Sequence, residues 1–443
     1  MPERNQFSEP SRVTRRLLVS EEGLINEVGH WYEYCKSIVD IHAPFGIESY
    51  VAVHAKANDA VRSSMPALPV YSQTSWSGLH LEPNVVKRYL GILSHNYSVY
   101  RAMDSVIREK GPFDLIFAPT VTIHHVIAWR GLAAAHAGSG FKRLVLFFRN
   151  NAGYYTESSD IPKFRRSAQV LALILKSFSP LIRSGAVAFA TDSDRLADEY
   201  DALCGLRPVV FPSPRIAERG GRGPKCAPNG RTIVRFSCLG PARFEKGIDL
   251  LQAAIKRVLG HRKSDDLSFV IQWNEQIRDA AGILYKPDPA LLADRRVTFL
   301  TDLLSSAEYN SQIALTDCMI LPYRRSSYFA RLSGVAVEGL TAGAPIIYTQ
   351  NTWCESLVRN CGAGIGVPDG DVNALAQAIE DMADHYATYK EKAVANAAEA
   401  RRLNSAETFI EKLWGPLLPF GKIRGAEPDH STSAYRQTSA VES

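Results

Sequence analysis

Two segments in the second half of the chain place charged side chains beside the start of a helix. The first, residues 239–251, reads LGPARFEKGIDLL and follows a predicted strand. Gly240 permits a tight turn there, and Arg243 and Lys246 precede the predicted helix. Two cations beside the free N–H groups of a helix start are suited to a diphosphate. Either cation alone would more commonly be a solvated loop charge, so this interpretation depends on the second segment.

The second segment, residues 321–347, reads LPYRRSSYFARLSGVAVEGLTAGAPII. Ser333 can cap a helix, and Gly334 lets a ligand approach the backbone closely. Glu338 lies one turn into that helix, where its carboxylate can accept hydrogen bonds from the two hydroxyls of a ribose. By itself Glu338 would more simply be a residue favoured by the helix dipole. Together with the cations of the first segment, it predicts a nucleotide site.

In combination the two segments resemble the C-terminal half of glycosyltransferase family 4 over about residues 232–383. The resemblance is specific because several motifs occur in the family's order, although each is common by itself. These motifs are the turn from Gly240 to Lys246-Gly247, the helix with Glu338, the AGAPII strand at 342–347, and the run from Cys354 to Asp371.

The resemblance implies roles for individual residues. Arg243 and Lys246 would hold the diphosphate of the donor and stabilise it as it departs, and Glu338 would hold the ribose. Arg331, which precedes Ser333 in a divergent version of the loop, is expected at the same donor site. The resemblance also implies that the anomeric configuration of the sugar is retained.

The chain departs from the family pattern at two positions. The first glutamate of the usual E-x7-E pair falls at Ala330, and the usual arginine five residues before the lysine falls at Pro241. Arg243 could replace that arginine with a different reach. These departures mark the chain as a divergent relative.

The first half resembles the family more weakly. Gly29 lies in the loop after the first predicted strand, where the family brings a glycine-rich backbone to the donor phosphate. The family often has a histidine near the donor sugar and acceptor, and either His124 or His125 could fill that place as a hydrogen-bond partner or proton carrier. Thr191 is expected to cap the next helix, and the acids at 192 and 194 to be ordinary first-turn residues rather than metal ligands.

Short apolar runs alternate with helical patterns along the chain, which predicts βαβ units and mainly parallel sheets. A stretch at 219–230, rich in glycine, interrupts this alternation and separates two units. The predicted fold class is α/β, with two Rossmann-like domains facing each other across a cleft, as in the GT-B arrangement. The expected organisation is a flexible N-terminus (1–15), an acceptor domain (16–214), a linker (215–230), a nucleotide-sugar domain (231–402), a C-terminal helix that could pack back on the first domain (403–422) and a disordered tail (423–443).

Composition excludes several classes of protein. The 443 residues carry a net charge of +5 and a pI near 8.7, with cations spread along the chain. That distribution argues against nucleic-acid binding and suits an anionic substrate or loose contact with an acidic membrane surface. The seven cysteines include no CxxC pair, which argues against zinc and a disulfide framework. Neither a secretory signal nor an apolar run of roughly 18 residues is present, so we expect a cytoplasmic protein, with peripheral contact at the inner membrane face as an option.

These patterns predict a glycosyltransferase of the hexosyltransferase type. It would move a sugar from a nucleoside diphosphate sugar to a hydroxyl of a glycan or lipid-linked acceptor, without a metal or cofactor. Analogy suggests cell-envelope or exopolysaccharide synthesis. Two alternatives stay open: a non-catalytic protein that binds a sugar nucleotide or glycan, which Ala330 favours, and a sugar-nucleotide epimerase. Motifs of dehydrogenases, P-loop NTPases, HExxH metalloproteases and GxSxG hydrolases are absent from the sequence.

Overall fold

The computed structural model describes residues 15–27, 30–76, 78, 82–156, 159–213, 225–226, 232–274, 276–279 and 281–417. Gly29, the expected tail at 423–443, and most of the expected linker at 215–230 and N-terminus at 1–15 lie outside the described residues. Within the described ranges, no helix is long and apolar enough to cross a membrane.

The N-terminal half forms a parallel sheet of seven strands in the described residues. These strands are β1 (Arg16–Ser20), β2 (Glu48–His54), β3 (Ala67–Tyr71), β4 (Phe113–Ala118), β5 (Phe141–Phe147), β6 (Val187–Thr191) and β7 (Val209–Val210). Their order across the sheet is β3-β2-β1-β4-β5-β6-β7. The direction of winding reverses between β1 and β4, and ligands commonly bind where the strand order reverses, at the carboxyl ends of the strands.

Helices cover both faces of this sheet. They are α1 (His30–His42), α2 (Asp59–Ser64), α3 (Val85–Lys110), α4 (Val126–His136), α5 (Arg166–Lys176), α6 (Ser179–Arg183) and α7 (Asp194–Cys204). Helices α3, α4, α5 and α7 share one hydrophobic core with one face of the strands. Helices α1 and α2 pack against the opposite face. Because both faces are covered, the strands are continuous apolar runs.

The C-terminal half repeats this architecture. Its strands are β8 (Lys225–Cys226), β9 (Thr232–Cys238), β10 (Leu267–Gln272), β11 (Ile277–Arg278), β12 (Leu284–Tyr285), β13 (Val297–Leu300), β14 (Cys318–Leu321), β15 (Ile346–Thr349) and β16 (Gly364–Val367). The main parallel order is β13-β10-β9-β14-β15-β16, with β8 antiparallel to β9, and β11 pairs only with β12 within the described residues. The strand order reverses between β9 and β14, so this sheet also has a switch point.

The helices of the second half surround its sheet. They are α8 (Ile248–His261), α9 (Pro289–Leu292), α10 (Ser306–Ala314), α11 (Arg325–Tyr328), α12 (Gly334–Thr341), α13 (Trp353–Cys361), α14 (Val372–Asp384) and α15 (Tyr386–Leu403). Helices α8 and α14 pack together on one face. Helices α12 and α13 lie on the other face.

A last helix, α16 (Ala406–Trp414), returns to the N-terminal domain. Phe409 is fully buried there, with its ring centroid 6.0 Å from that of Phe117. Trp414 donates a hydrogen bond from Nε1 to Nε2 of His42 at 2.9 Å. The chain therefore crosses between the domains twice.

Several elements differ from the sequence-based predictions. The cap of α7 is Ser193, not Thr191, because Thr191 is still part of β6 and Ser193 Oγ accepts a hydrogen bond from the Leu196 N–H at 3.0 Å. The stretch at 372–401, which the sequence predicts to be largely helical, forms two helices, α14 and α15, which meet at His385. The predictions omitted β3, which contains Pro69; a proline is tolerated there because β3 lies at the edge of the sheet.

Candidate functional site

A cavity of about 320 Å³ lies between the two domains. Most of its lining comes from the carboxyl ends of β9, β10 and β14 and from the start of α12. The residues that line it include Tyr34, Arg149, Gly240, Arg243, Lys246, Gln272, Tyr309, Ser333, Gly334 and Glu338. A volume of this size falls within the usual range for small-ligand sites. We call this space the cleft cavity.

The cationic corner of the cleft cavity is built on Gly240. This residue has φ of +82°, and its N–H donates to Oε1 of Gln272 at 2.7 Å. A Cβ at this position would lie 2.9 Å from Nζ of Lys246. Glycine therefore lets the ammonium group of Lys246 lie directly against the turn, with Arg243 beside it at the cavity wall. The two predicted cations thus meet in one place.

Lys246 is buried although its side chain is charged at neutral pH. Burial lowers the pKa of its ammonium group to about 8, and the neighbouring cations Arg243 and Arg331 act in the same direction. A buried cation that faces a cavity gains more from an anionic ligand than an exposed one does, because solvent screens it less. The buried ammonium group of Lys246 therefore favours binding of an anionic ligand in the cleft cavity.

Across the cavity, α12 presents its N-terminus. Ser333 caps this helix, with Oγ accepting from the Ala336 N–H at 3.3 Å and lying 3.2 Å from Tyr323 Oη. Gly334 has open space on the side where a Cβ would stand. The first N–H groups of a helix have no partner within the helix and carry a partial positive charge, so an anionic group can approach them here.

Glu338 lies one turn into α12, is 5% exposed and lines the same cavity. Its Oε2 accepts a hydrogen bond from Tyr309 Oη at 2.6 Å. This bond orients the carboxylate, and a carboxylate retains further lone pairs for hydroxyl donors. Tyr309 was not predicted from the sequence, since it lies on α10 and nothing in that helix marks it.

The N-terminal domain supplies Arg149, which directly follows β5. Its guanidinium carbon lies 4.8 Å from the centre of the Tyr34 ring, and its Nε lies 3.4 Å from Oδ2 of Asp192. Burial raises the pKa of Asp192, and the nearby Arg149 opposes that rise. The sequence places Arg149 at the carboxyl end of a strand, facing the cleft, and in the structure it is a third cation in the wall of the cleft cavity.

The region around Ala330 joins the domains. Ala330 is fully buried, and its carbonyl oxygen accepts a hydrogen bond from Ser193 Oγ. Nearby, Arg195 donates to the carbonyl of Phe329 at 3.0 Å. Arg331 is outside the lining of the cleft cavity and stacks on Tyr328, with its guanidinium carbon 5.0 Å from the ring centre. The position of the missing family glutamate is thus occupied by a contact between domains.

The two candidate histidines are separated by the fold. His124 lines a second cavity of about 360 Å³ in the N-terminal domain, near the carboxyl ends of β4 and β5. His125 is 4% exposed and lies inside the domain, with Nδ1 3.0 Å from Ser75 Oγ. Neither is part of the cleft cavity lining. We call the second space the upper cavity.

Among the described residues, one group of side chains could offer ligand atoms to a metal: Glu22, His95 and His125, whose ligand atoms lie within 4.8 Å of one another. The Thr122 N–H donates to Nε2 of His125 at 3.3 Å, and Nδ1 of the same ring lies 3.0 Å from Ser75 Oγ, so both ring nitrogens have partners within the protein. Burial opposes ionisation of Glu22, but the two histidines outweigh burial and hold its pKa well below its usual range. These contacts fit a hydrogen-bonded polar core.

Comparison with known proteins agrees with this architecture. Residues 233–385 match the family model described as glycosyl transferases group 1. No curated protein matches the chain in sequence. Similar solved structures include Anabaena HepE in complex with UDP and glucose, with 15% identity, a TM-score of 0.59, and coverage of 90% of this chain and 98% of that chain.

Two further structures have the same fold. Sucrose-phosphate synthase from Thermosynechococcus elongatus has 13% identity and a TM-score of 0.60, covering 89% of this chain and 96% of that chain. A glycosyltransferase from Rickettsia africae ESF-5 has 12% identity and a TM-score of 0.59, covering 90% and 97%. The expected GT-B fold is confirmed. Residues 233–385 therefore match the glycosyl transferases group 1 family model, and the whole chain has the GT-B fold.

Proposed function

We propose that the protein binds a nucleoside diphosphate sugar in the cleft cavity and transfers the sugar to an acceptor hydroxyl. The observation that carries this proposal is the convergence of Arg243, Lys246, the N-terminus of α12 and Glu338 on one cavity. The cations and the helix start would hold the diphosphate, and Glu338 would hold the ribose. Arg149 would approach the same diphosphate from the opposite domain.

These residues also suit the chemistry of transfer. Negative charge accumulates on the diphosphate as its bond to the sugar breaks, and fixed cations stabilise that charge without reorganising. We propose that Arg149, Arg243 and Lys246 together replace the divalent cation that other enzymes use for this purpose, so that neither metal nor cofactor is needed. Closure of the two domains would exclude water from the reacting carbon.

The acceptor side of the proposal concerns the upper cavity. His124 and the polar side chains of Thr122, Asn150 and Asn151 line it. We propose that it receives the hydroxyls of a glycan or lipid-linked acceptor, at the cytoplasmic face of the inner membrane and in cell-envelope or exopolysaccharide synthesis. His124, rather than the buried His125, would contact the acceptor, and the family resemblance supports retention of configuration.

Donor binding can be tested by thermal shift with UDP-, GDP- and ADP-sugars. Because HepE is bound to UDP in its structure, UDP-sugars are the first to try. We expect one donor to raise the melting temperature of the wild type, and the double variant Glu338→Ala, Lys246→Ala to lose that rise. A folded wild type that responds to none of these donors would contradict the proposed site.

Transfer itself is tested by nucleotide release. Release that requires an added acceptor, and that persists in EDTA, would support a metal-independent transferase. The anomeric configuration of the product, read by NMR, tests retention. Donor binding without acceptor-dependent release would instead favour a non-catalytic sugar-nucleotide-binding protein, the alternative for which Ala330 is the specific reason.

A further inference from the structure

Helices α3, α4 and α5 form one continuous outer layer on the N-terminal domain. Their inner sides share a core, to which Val99, Trp129 and Leu171 contribute. Parallel strands are joined by helices that run in the reverse direction, so the first turns of these helices lie at the carboxyl ends of the strands. The cleft cavity and the upper cavity lie at that same end.

The outer side of this layer is apolar at that end. On the first half of α3, side chains that repeat every three or four residues are more than half exposed, and α5 adds two more. These residues are Val86, Tyr89, Leu90, Leu93 and Tyr97 on α3, and Val170 and Leu173 on α5. Exposed apolar side chains are common singly, but five of them along one face of α3, with two more on α5, mark an interaction surface.

The second half of α3 differs from the first in the polarity of its exposed side chains. Its exposed residues are polar or charged, including Arg101, Ser105, Arg108 and Glu109. Trp76, which lines the upper cavity, is 45% exposed. The apolar side chains are therefore concentrated next to the upper cavity and absent from the far end of the described α3 helix.

Cations predominate in the part of this layer near the carboxyl ends of the strands, whereas Asp104 and Glu109 accompany Arg108 and Lys110 on the far half of α3. Residues 83–103, 115–156 and 161–185 contain no aspartate or glutamate. Apart from two in β5 and Arg149 in the cleft cavity, these ranges carry nine cations, which are Lys87, Arg88, Arg101, Arg130, Lys163, Arg165, Arg166, Lys176 and Arg183. Beyond α5 and α6, helix α7 begins the acidic run of Asp194, Asp198, Glu199 and Asp201. The cationic surface thus ends at α7.

Cations beside exposed apolar side chains are the composition of a surface that lies in the boundary of a lipid bilayer. The cations attract acidic headgroups, while the apolar side chains enter the acyl boundary. A nucleic acid would attract the cations but would give Leu90 and Leu93 nothing to pack against. A second copy of this chain would bring one cationic surface against another, which is unfavourable.

We propose that the outer side of α3, α4 and α5 docks on an anionic phospholipid surface and sets the upper cavity at the level of the headgroups. An acceptor carried on a lipid would then reach the upper cavity without leaving the bilayer. Only this last step rests on the proposed function, since docking itself needs neither donor nor acceptor.

The test is sedimentation of the full chain with vesicles of phosphatidylcholine, with or without phosphatidylglycerol. We expect binding only to the vesicles that contain the anionic lipid, and weaker binding as salt is raised. Leu90→Ser with Leu93→Ser should abolish most of the binding. Lys87→Ala with Arg88→Ala should weaken it by about fivefold for each cation removed.

Matched control variants lie on the other domain. Leu292 is 58% exposed, comparable with Leu90, and Lys392 is exposed on α15. Leu292→Ser and Lys392→Ala should leave vesicle binding unchanged. The proposal is overturned if the wild type ignores anionic vesicles, if it binds neutral vesicles equally well, if it binds RNA more tightly than vesicles, or if the α3 variants bind like the wild type.

Failure of docking and failure of the proposed function have different signatures. Thermal shift with nucleotide sugars reports on the cleft cavity, which none of these variants touches. A protein that binds a donor but not vesicles refutes only the docking surface. A protein that binds vesicles but no donor refutes the proposed function and leaves the docking surface in place.

Discussion

Replacing Lys246 by methionine should make the free protein more stable and the donor site weaker. The pKa of Lys246 falls from 10.5 to about 8 because the side chain is buried. At about 1.4 kcal/mol for each unit of pKa, keeping this lysine charged costs the folded state up to about 3 kcal/mol. Methionine retains most of the aliphatic length and removes the charge. Lys246→Met should therefore raise the free energy of unfolding by about 1 to 3 kcal/mol at pH 7.

The pH dependence identifies the cause. Between pH 8 and 10.5 the unfolded wild type holds a proton on Lys246 that the folded protein has lost. The wild type consequently gains stability as pH rises through that window, while the variant does not gain from this residue. The advantage of the variant should be largest below pH 8 and should vanish near pH 10.5.

Urea unfolding followed by tryptophan fluorescence, at several pH values, measures both quantities. Lys392→Met, at an exposed lysine, is the matched control and should change stability little at any pH. Thermal shift with the donor should show that Lys246→Met has lost most of its response. A variant that is less stable than the wild type at pH 7, or whose advantage does not depend on pH, would refute the reasoning.

Three further changes test other parts of the structure. Glu338→Gln should weaken UDP binding about tenfold, because a carboxylate accepts stronger hydrogen bonds from ribose than an amide does, and should leave pyrophosphate binding unchanged in calorimetry. Gly247→Ala should lower the free energy of unfolding by about 2 kcal/mol or more, since φ is +67° and a Cβ would lie 1.9 Å from the carbonyl oxygen of Pro322. Burial lowers the pKa of His42 from 6.5 to about 4, so stability should fall as pH drops from 6.5 towards 4, by up to about 3 kcal/mol. His42→Gln should flatten that pH dependence.

A control variant or a contrary result tests each of these three changes. Equal loss of UDP and pyrophosphate binding in Glu338→Gln would place the carboxylate away from the ribose. Gly260→Ala, in α8 with open space around the site of a Cβ, should be neutral or stabilising by up to about 1 kcal/mol. For His42, an unchanged pH profile in the glutamine variant would show that another group titrates in that window.

Sequence patterns predicted the helices and strands well where capping or helix-ending residues mark their boundaries. The sequence predicts a long helix over 85–110 that ends at Gly111-Pro112, and α3 has these bounds, with Asn84 as its cap. The strands β1, β2 and β9 also agree, since each is an apolar run between polar segments. Edge strand β3 was missed because Pro69 argues against a strand unless the edge position is known.

Local reasoning grouped site residues only within one segment, and the family resemblance was needed to bring Glu338 to the cations of the first segment. Gly240, Arg243 and Lys246 belong to one turn, so local reasoning brought them together. Tyr309 reaches Glu338 from a separate helix, and local patterns contain no information about that approach. The choice between His124 and His125 depended likewise on which side chain the fold buries.

The return of α16 to the N-terminal domain has a consequence for biosynthesis. The core beneath β1 includes Phe409, Leu413 and Trp414, which emerge from the ribosome almost 400 residues after Leu17. The N-terminal domain therefore cannot complete its core when its own strands have been translated, although domains commonly fold in order of synthesis. The C-terminal domain, whose elements are contiguous in the chain, can finish first. The nascent protein thus carries an incompletely covered sheet until α16 has been translated, and removing α16 should expose that sheet in the folded protein.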